Sequence, residues 1–158
     1  MPASTLSLEP IPPLFRETGF PLKHPYVEHV YAPVVGPTSV LVLRRAGLLF
    51  EAFPEGVQLD AEEFAASLGV GHRGGTNSPV ARTFTRLDRF SLASWDPEIG
   101  TLAVPTQVRP VPDRWLRRLP ESTRAVHASM ISSLDAPALR TEAPVVTPGP
   151  ALSMGLGR

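Results

Sequence analysis

The 158-residue chain contains no cysteine, which excludes disulfides, thiolate metal sites and thiol nucleophiles together. Lysine is almost missing too: Lys23 stands alone, and the other fourteen basic residues are arginines, a bias that reads as GC-rich coding rather than as chemistry. The four histidines are scattered and make a poor metal set. Long apolar runs are also lacking, since the longest, around residues 40–43, stops at Arg44 and Arg45, far short of the roughly 20 residues that span a bilayer. The beginning, MPASTLSLEPIPPLF, has no basic segment and its apolar stretches are cut by prolines, so no cleavable signal is read there. A cytoplasmic protein without membrane partner, metal or cofactor is the expectation. Nor does an enzyme emerge: there is no G-x-S-x-G elbow, Glu62 and Glu63 are mere neighbours on a helix surface, and nothing directs His24 or His127 to a serine.

What is present is enough apolar material for a core, 42% of residues, with only 19% charged, too little for a charge-driven disordered chain. Nineteen prolines point to a folded middle between extended ends. The net charge of zero conceals a gradient. In residues 1–71, eight acids against four bases leave −4, whereas in residues 72–118, eight arginines against four acids leave +4. A basic segment set off in this way suits a polyanionic partner.

In order, residues 1–35 read as a proline-rich N-terminal arm in which no alternation runs far enough for a central strand, although Phe15, Phe20, Tyr26, Val30 and Tyr31 argue for packing from about Phe20 onward. Residues 36–131 read as one domain. Residues 38–50 suit a helix with Val40, Leu43, Gly47 and Phe50 on one face, with a hairpin turning at Ala46 and Gly47 as the alternative. The next segment, GVQLD, is a short strand; Asp60 with Glu63 three residues on then opens a helix that Gly69 ends. DPEIG separates two β-capable stretches, and Asp113 is a candidate cap for DRWLRRL, with a further helix from Glu121 to Ile131. Residues 132–158, rich in Pro, Ala and Gly, read as a disordered tail.

The most informative stretch is GVGHRGGTNSPVARTFTRLDRF, residues 69–90. Ser78 is a good N-cap, and Pro79 falls at the first helical position, where its missing N–H costs nothing. At roughly 100° per residue, Val80, Phe84 and Leu87 share one face of the helix 79–90 while Arg82, Thr85, Arg86 and Arg89 share the opposite one. Such an arginine face can bind guanine edges bidentately and hold phosphates; its bland reading is a solvated face whose arginines meet Asp88 or Glu98. Gly69, Gly71 and Gly74 spell G-x-G-x-x-G, but a helix precedes them and Pro79 delays the next, so the dinucleotide-binding context fails. His72, Arg73, Thr76 and Asn77, together with free N–H groups at the start of the helix, are instead candidates to hold a backbone phosphate. Gln107 and Arg109 are expected on the return strand of a wing over residues 95–109.

In element order and hydrophobic spacing, GPTSVLVLRRAG, LDAEEFAASLGVG, NSPVARTFTRLDRF with its hairpin, and VPDRWLRRLP resemble the winged helix-turn-helix superfamily, in particular small uncharacterised winged-helix proteins of GC-rich bacteria. The resemblance spans residues 36 to about 130 and implies a mainly α fold with a small antiparallel β-sheet (α+β), and a transcriptional regulator that reads double-stranded DNA with helix 79–90. The turn before that helix is longer than the three or four residues usual there. A homodimer built through the last helix or the N-terminal arm would suit paired half-sites. The competing expectation is a protein-interaction or assembly module that ignores DNA, favoured by the acidic first 71 residues.

Overall fold

The computed structural model describes residues 5–13 and 15–134. Strands β1 (Thr5–Ile11) and β2 (Phe20–Pro21) come first, and a π-helical turn at Val27–Tyr31 runs directly into the short helix α1 (Ala32–Val35). Then follow α2 (Pro37–Ala52), β3 (Val57–Asp60), α3 (Ala61–Ser67), a 3-10 turn at Gly75–Asn77, and α4 (Pro79–Arg89). Strands β4 (Ser94–Asp96), β5 (Thr101–Pro105) and β6 (Gln107–Val108) lead to helices α5 (Asp113–Leu116) and α6 (Glu121–Leu134). The architecture is α+β, with a four-stranded sheet in the order β3-β1-β5-β4 and a separate pair, β2-β6.

Between the two readings of residues 38–50, the helix is the one observed. Pro37 occupies the first turn of α2 after Gly36, whose φ of 88° turns the chain out of α1, and Val40, Leu43, Ala46 and Phe50 are buried along one side. Gly47 belongs to this contact, because a Cβ there would lie 2.8 Å from the Cβ of Leu22.

The first 35 residues depart most from expectation. Strand β1 is central, antiparallel to β3 and parallel to β5, so the sheet is mixed rather than antiparallel. Leu6 and Leu8 alternate into the core, and the strand tolerates Pro10 because pairing with β3 ends at Leu8, leaving that side of residues 9–11 an edge where a missing donor is harmless. Phe20, Tyr26, Val30 and Tyr31 are all fully or almost fully buried, with Phe20 stacked on Tyr26 at 3.9 Å between ring centroids. Residues 5–11 and 20–35 are therefore core material, not an arm.

At the other end, Pro112 rather than Asp113 takes the N-cap position of α5. Helix α6 runs to Leu134, three residues into the expected tail; the rest of that tail lies outside the described residues. Val126, Met130, Ile131 and Leu134 lay α6 against the core. Tyr26 joins the same region: its hydroxyl accepts from the Val111 N–H at 2.8 Å and contacts His127 Nδ1 at 2.8 Å, while the Tyr31 hydroxyl donates to the Arg109 carbonyl at 2.6 Å. Among the described residues, no helix is long and apolar enough to cross a membrane.

Candidate nucleic-acid interface

Helix α4 begins as its sequence dictates. The Ser78 hydroxyl accepts from the Ala81 N–H at 3.2 Å, and Pro79 fills the first helical position. Val80, Phe84 and Leu87 are buried, and Phe84 fixes the helix between two neighbours, meeting Phe64 of α3 at 6.5 Å and Trp95 of β4 at 4.8 Å between ring centroids. A third tie joins the far end of the helix to the hairpin, where the Asp88 carboxylate accepts from the Trp95 N–H at 2.9 Å. These contacts seat α4 against α3 and the β4–β5 hairpin.

The opposite face carries Arg82, Thr85, Arg86 and Arg89, all exposed. Two of these arginines are steadied by backbone: Arg82 Nε donates to the Asn77 carbonyl at 2.9 Å, and Arg86 Nη1 to the Val35 carbonyl at 3.3 Å, at the junction of α1 and α2. Arg89 has no hydrogen bond or ion pair among the described residues. Neither Asp88 nor Glu98 pairs with the arginines of this face: Asp88 serves the hairpin, and the only described ion pairs are Lys23 with Glu51 and Arg109 with Glu17.

The glycine-rich turn is well defined. Helix α3 opens with the Asp60 carboxylate accepting from the Glu63 N–H at 2.8 Å, and ends in a Schellman motif, in which Gly69 at φ 73° lets its own N–H reach the Ala66 carbonyl and the Val70 N–H reach that of Ala65. Gly74 and Gly75 adopt φ 108° and 57° at the 3-10 turn. Arg73, Thr76 and Asn77 are exposed there, while His72 is half-buried with its Nδ1 buried and unpartnered. One expectation fails here: no N–H of the first turn of α4 is free for a phosphate. Val80 N–H donates to Gly71, Ala81 N–H to the Ser78 hydroxyl and Arg82 N–H to the Ser78 carbonyl, and Pro79 has none to give. A phosphate here gains nothing from the start of α4 and is left with the side chains and backbone of the turn itself.

The hairpin is formed by β4 and β5 with a tip at residues 97–100, where Ile99 is 66% exposed. Gln107 and Arg109, expected on its return strand, lie beyond that strand. Gln107 pairs with Pro21 in the second sheet, and Arg109 is ion-paired to Glu17 at 3.6 Å. The cause is Thr106: its N–H still bonds the Ile11 carbonyl, after which the chain leaves β1 and joins β2. Nothing in the sequence marks Ile99, because a lone isoleucine in a turn carries no periodic signal.

His127 has the Tyr26 hydroxyl as its partner, and burial holds its imidazole below the usual histidine range, opposed by nearby Asp113. Burial likewise raises the Tyr26 phenol to about 12, with the Val111 N–H acting the other way. The pair ties α6 to the core at Tyr26. No cluster of three or more His, Asp or Glu side chains suited to a metal occurs among the described residues. Comparison of the chain with protein-family models, with curated proteins and with solved structures gives no match.

Proposed function

We propose that this chain is a DNA-binding protein of regulatory type, with α4 entering the major groove and the β4–β5 hairpin following the backbone beside it. The single observation that carries this reading is the face of Arg82, Thr85, Arg86 and Arg89: exposed, uninterrupted by acids that pair with it, and set on a helix whose other side is locked into the core. The order α2, β3, α3, turn, α4, hairpin supports it, being that of winged helix-turn-helix proteins. In this reading Arg86 and Arg89 meet guanine edges or phosphates, Arg73, Thr76 and Asn77 contact the strand beside the turn, and the wing is residues 94–105 rather than 95–109.

The test is fluorescence anisotropy of a labelled duplex at several salt concentrations. Arg89→Gln is the cleaner variant, because Arg86 also bonds Val35 and its loss perturbs the α1–α2 junction. If Arg89 contacts a phosphate, the variant binds more weakly on every sequence and its log–log salt slope falls by about one. Unchanged affinity and slope in the variant contradict the reading.

A protein-interaction role has its own observation. Leu41 and Leu48 lie seven residues apart on the outer side of α2 and are 45% and 54% exposed, and Phe53 just beyond the helix is also exposed. If this surface is what the protein uses, Leu48→Glu abolishes self-association or partner capture while duplex DNA has no effect at any salt concentration.

A further inference from the structure

Beneath the start of α4, between the glycine-rich turn and the tip of the hairpin, lies an open cleft of about 500 Å³, within the size range of small-molecule sites. Its floor is apolar, made by Val80 and Phe84 of α4 and by Trp95 of β4. The glycine turn lines it with Arg73 and the side-chain-free Gly74 and Gly75, and the hairpin tip lines it with Glu98. Neither Arg73 nor Glu98 is in an ion pair among the described residues. His72 lines the same cleft with a buried Nδ1 that has no partner, a cost that a hydrogen-bonding ligand would relieve.

We propose that this cleft binds a small zwitterion with an aromatic or branched apolar body, the chemistry an aromatic amino acid presents. The apolar body packs on Phe84 and Trp95, the carboxylate meets Arg73, and the ammonium group meets Glu98. Opposite charges lining one cleft select for a dipolar ligand: a plain anion is repelled by Glu98, a plain cation by Arg73, and a neutral hydrophobe uses neither. The cleft opens on the side of α4 that carries Val80, Ala81 and Phe84, roughly opposite Arg82, Arg86 and Arg89 by helical geometry, so its occupant leaves the arginine face uncovered. An occupant also touches turn and hairpin at once, the two elements that flank that face.

Trp95 supplies the readout. Tryptophan fluorescence of the full chain is followed during titration with L-phenylalanine, 3-phenylpropionate, which lacks the ammonium group, and 2-phenylethylamine, which lacks the carboxylate. Saturable change with phenylalanine is expected, with each single-charge analogue weaker by about tenfold, the scale of one charge-assisted hydrogen bond. Arg73→Gln weakens phenylalanine and phenylpropionate but not phenylethylamine; Glu98→Gln weakens phenylalanine and phenylethylamine but not phenylpropionate. Both side chains are exposed, so neither substitution threatens the fold. Trp95→Phe removes the signal. The proposal is overturned by the absence of saturable change at millimolar ligand, by equal affinity for all three compounds, or by a signal that persists in Trp95→Phe. Because binding is read on the protein alone, failure of the DNA reading leaves this result intact.

Discussion

His127 is a residue whose protonation the fold resists. Its Nδ1 meets a Tyr26 hydroxyl that already accepts from Val111, and burial favours the neutral ring. A histidine held below its unfolded pKa of 6.5 contributes stability above that value, and the contribution is lost as pH falls from there through the folded pKa. His24, lowered by burial, acts in the same direction. Tyr26 has the opposite sense: its phenol, raised from 10.0 to about 12, costs stability only as pH rises through that window. Thermal unfolding is therefore expected to show a lower Tm at pH 5.5 than at pH 7.5, and His127→Gln, which keeps an acceptor for the tyrosine, to shrink that difference without abolishing it. A difference as large in the variant as in the parent removes His127 from the account.

At the scale of elements, the two helices that flank the glycine turn end alike but with different residues. Helix α3 closes its Schellman motif on Gly69, whereas α4 closes the same pattern on Ser91, at φ 59°, with Ser91 N–H bonded to Asp88 and Leu92 N–H to Leu87. A serine in the left-handed region is strained by about 1 kcal/mol or more, so Ser91→Gly is expected to raise stability by about 0.5–1 kcal/mol and Gly69→Ala to lower it by about 1 kcal/mol. Chemical denaturation reads both; a destabilised Ser91→Gly contradicts the assignment. The Gly69 end of α3 and the Ser78–Pro79 start of α4 were legible because capping is chemistry between near neighbours, whereas nothing in the sequence marks Ser91 as a left-handed cap. Strand β1 was not. Its partners Val57–Asp60 and Thr101–Pro105 lie some 50 and 95 residues further on, and two buried leucines followed by prolines give too short an alternation to announce a central strand. The same non-local pairing, β2 with β6, is what drew Gln107 and Arg109 away from the hairpin.

For the whole molecule, β1 is the keystone of the sheet, since it alone joins β3, which leads into α3, to β5, which carries the hairpin. Leu8, fully buried there, is expected to cost about 2–5 kcal/mol when replaced by alanine, read as a fall in the denaturation midpoint. A loss below about 0.5 kcal/mol, the scale of a surface substitution, would mean that the strand is peripheral. The element order from α2 to the hairpin was readable in the sequence, as was the division of α4 into a core face and an arginine face; the cleft was not, because it is made by residues from β1, the turn, α4 and the hairpin that only the fold brings together. Under the proposed function, the surface of α4 with its flanking turn and hairpin meets duplex DNA. The most direct measurement is amide chemical-shift mapping on addition of a short duplex at low salt. Shifts concentrated in residues 72–90 and 94–101, reversed by added salt, are the predicted result; no shifts, or shifts centred on Leu41, Leu48 and Phe53 of the α2 surface, contradict it.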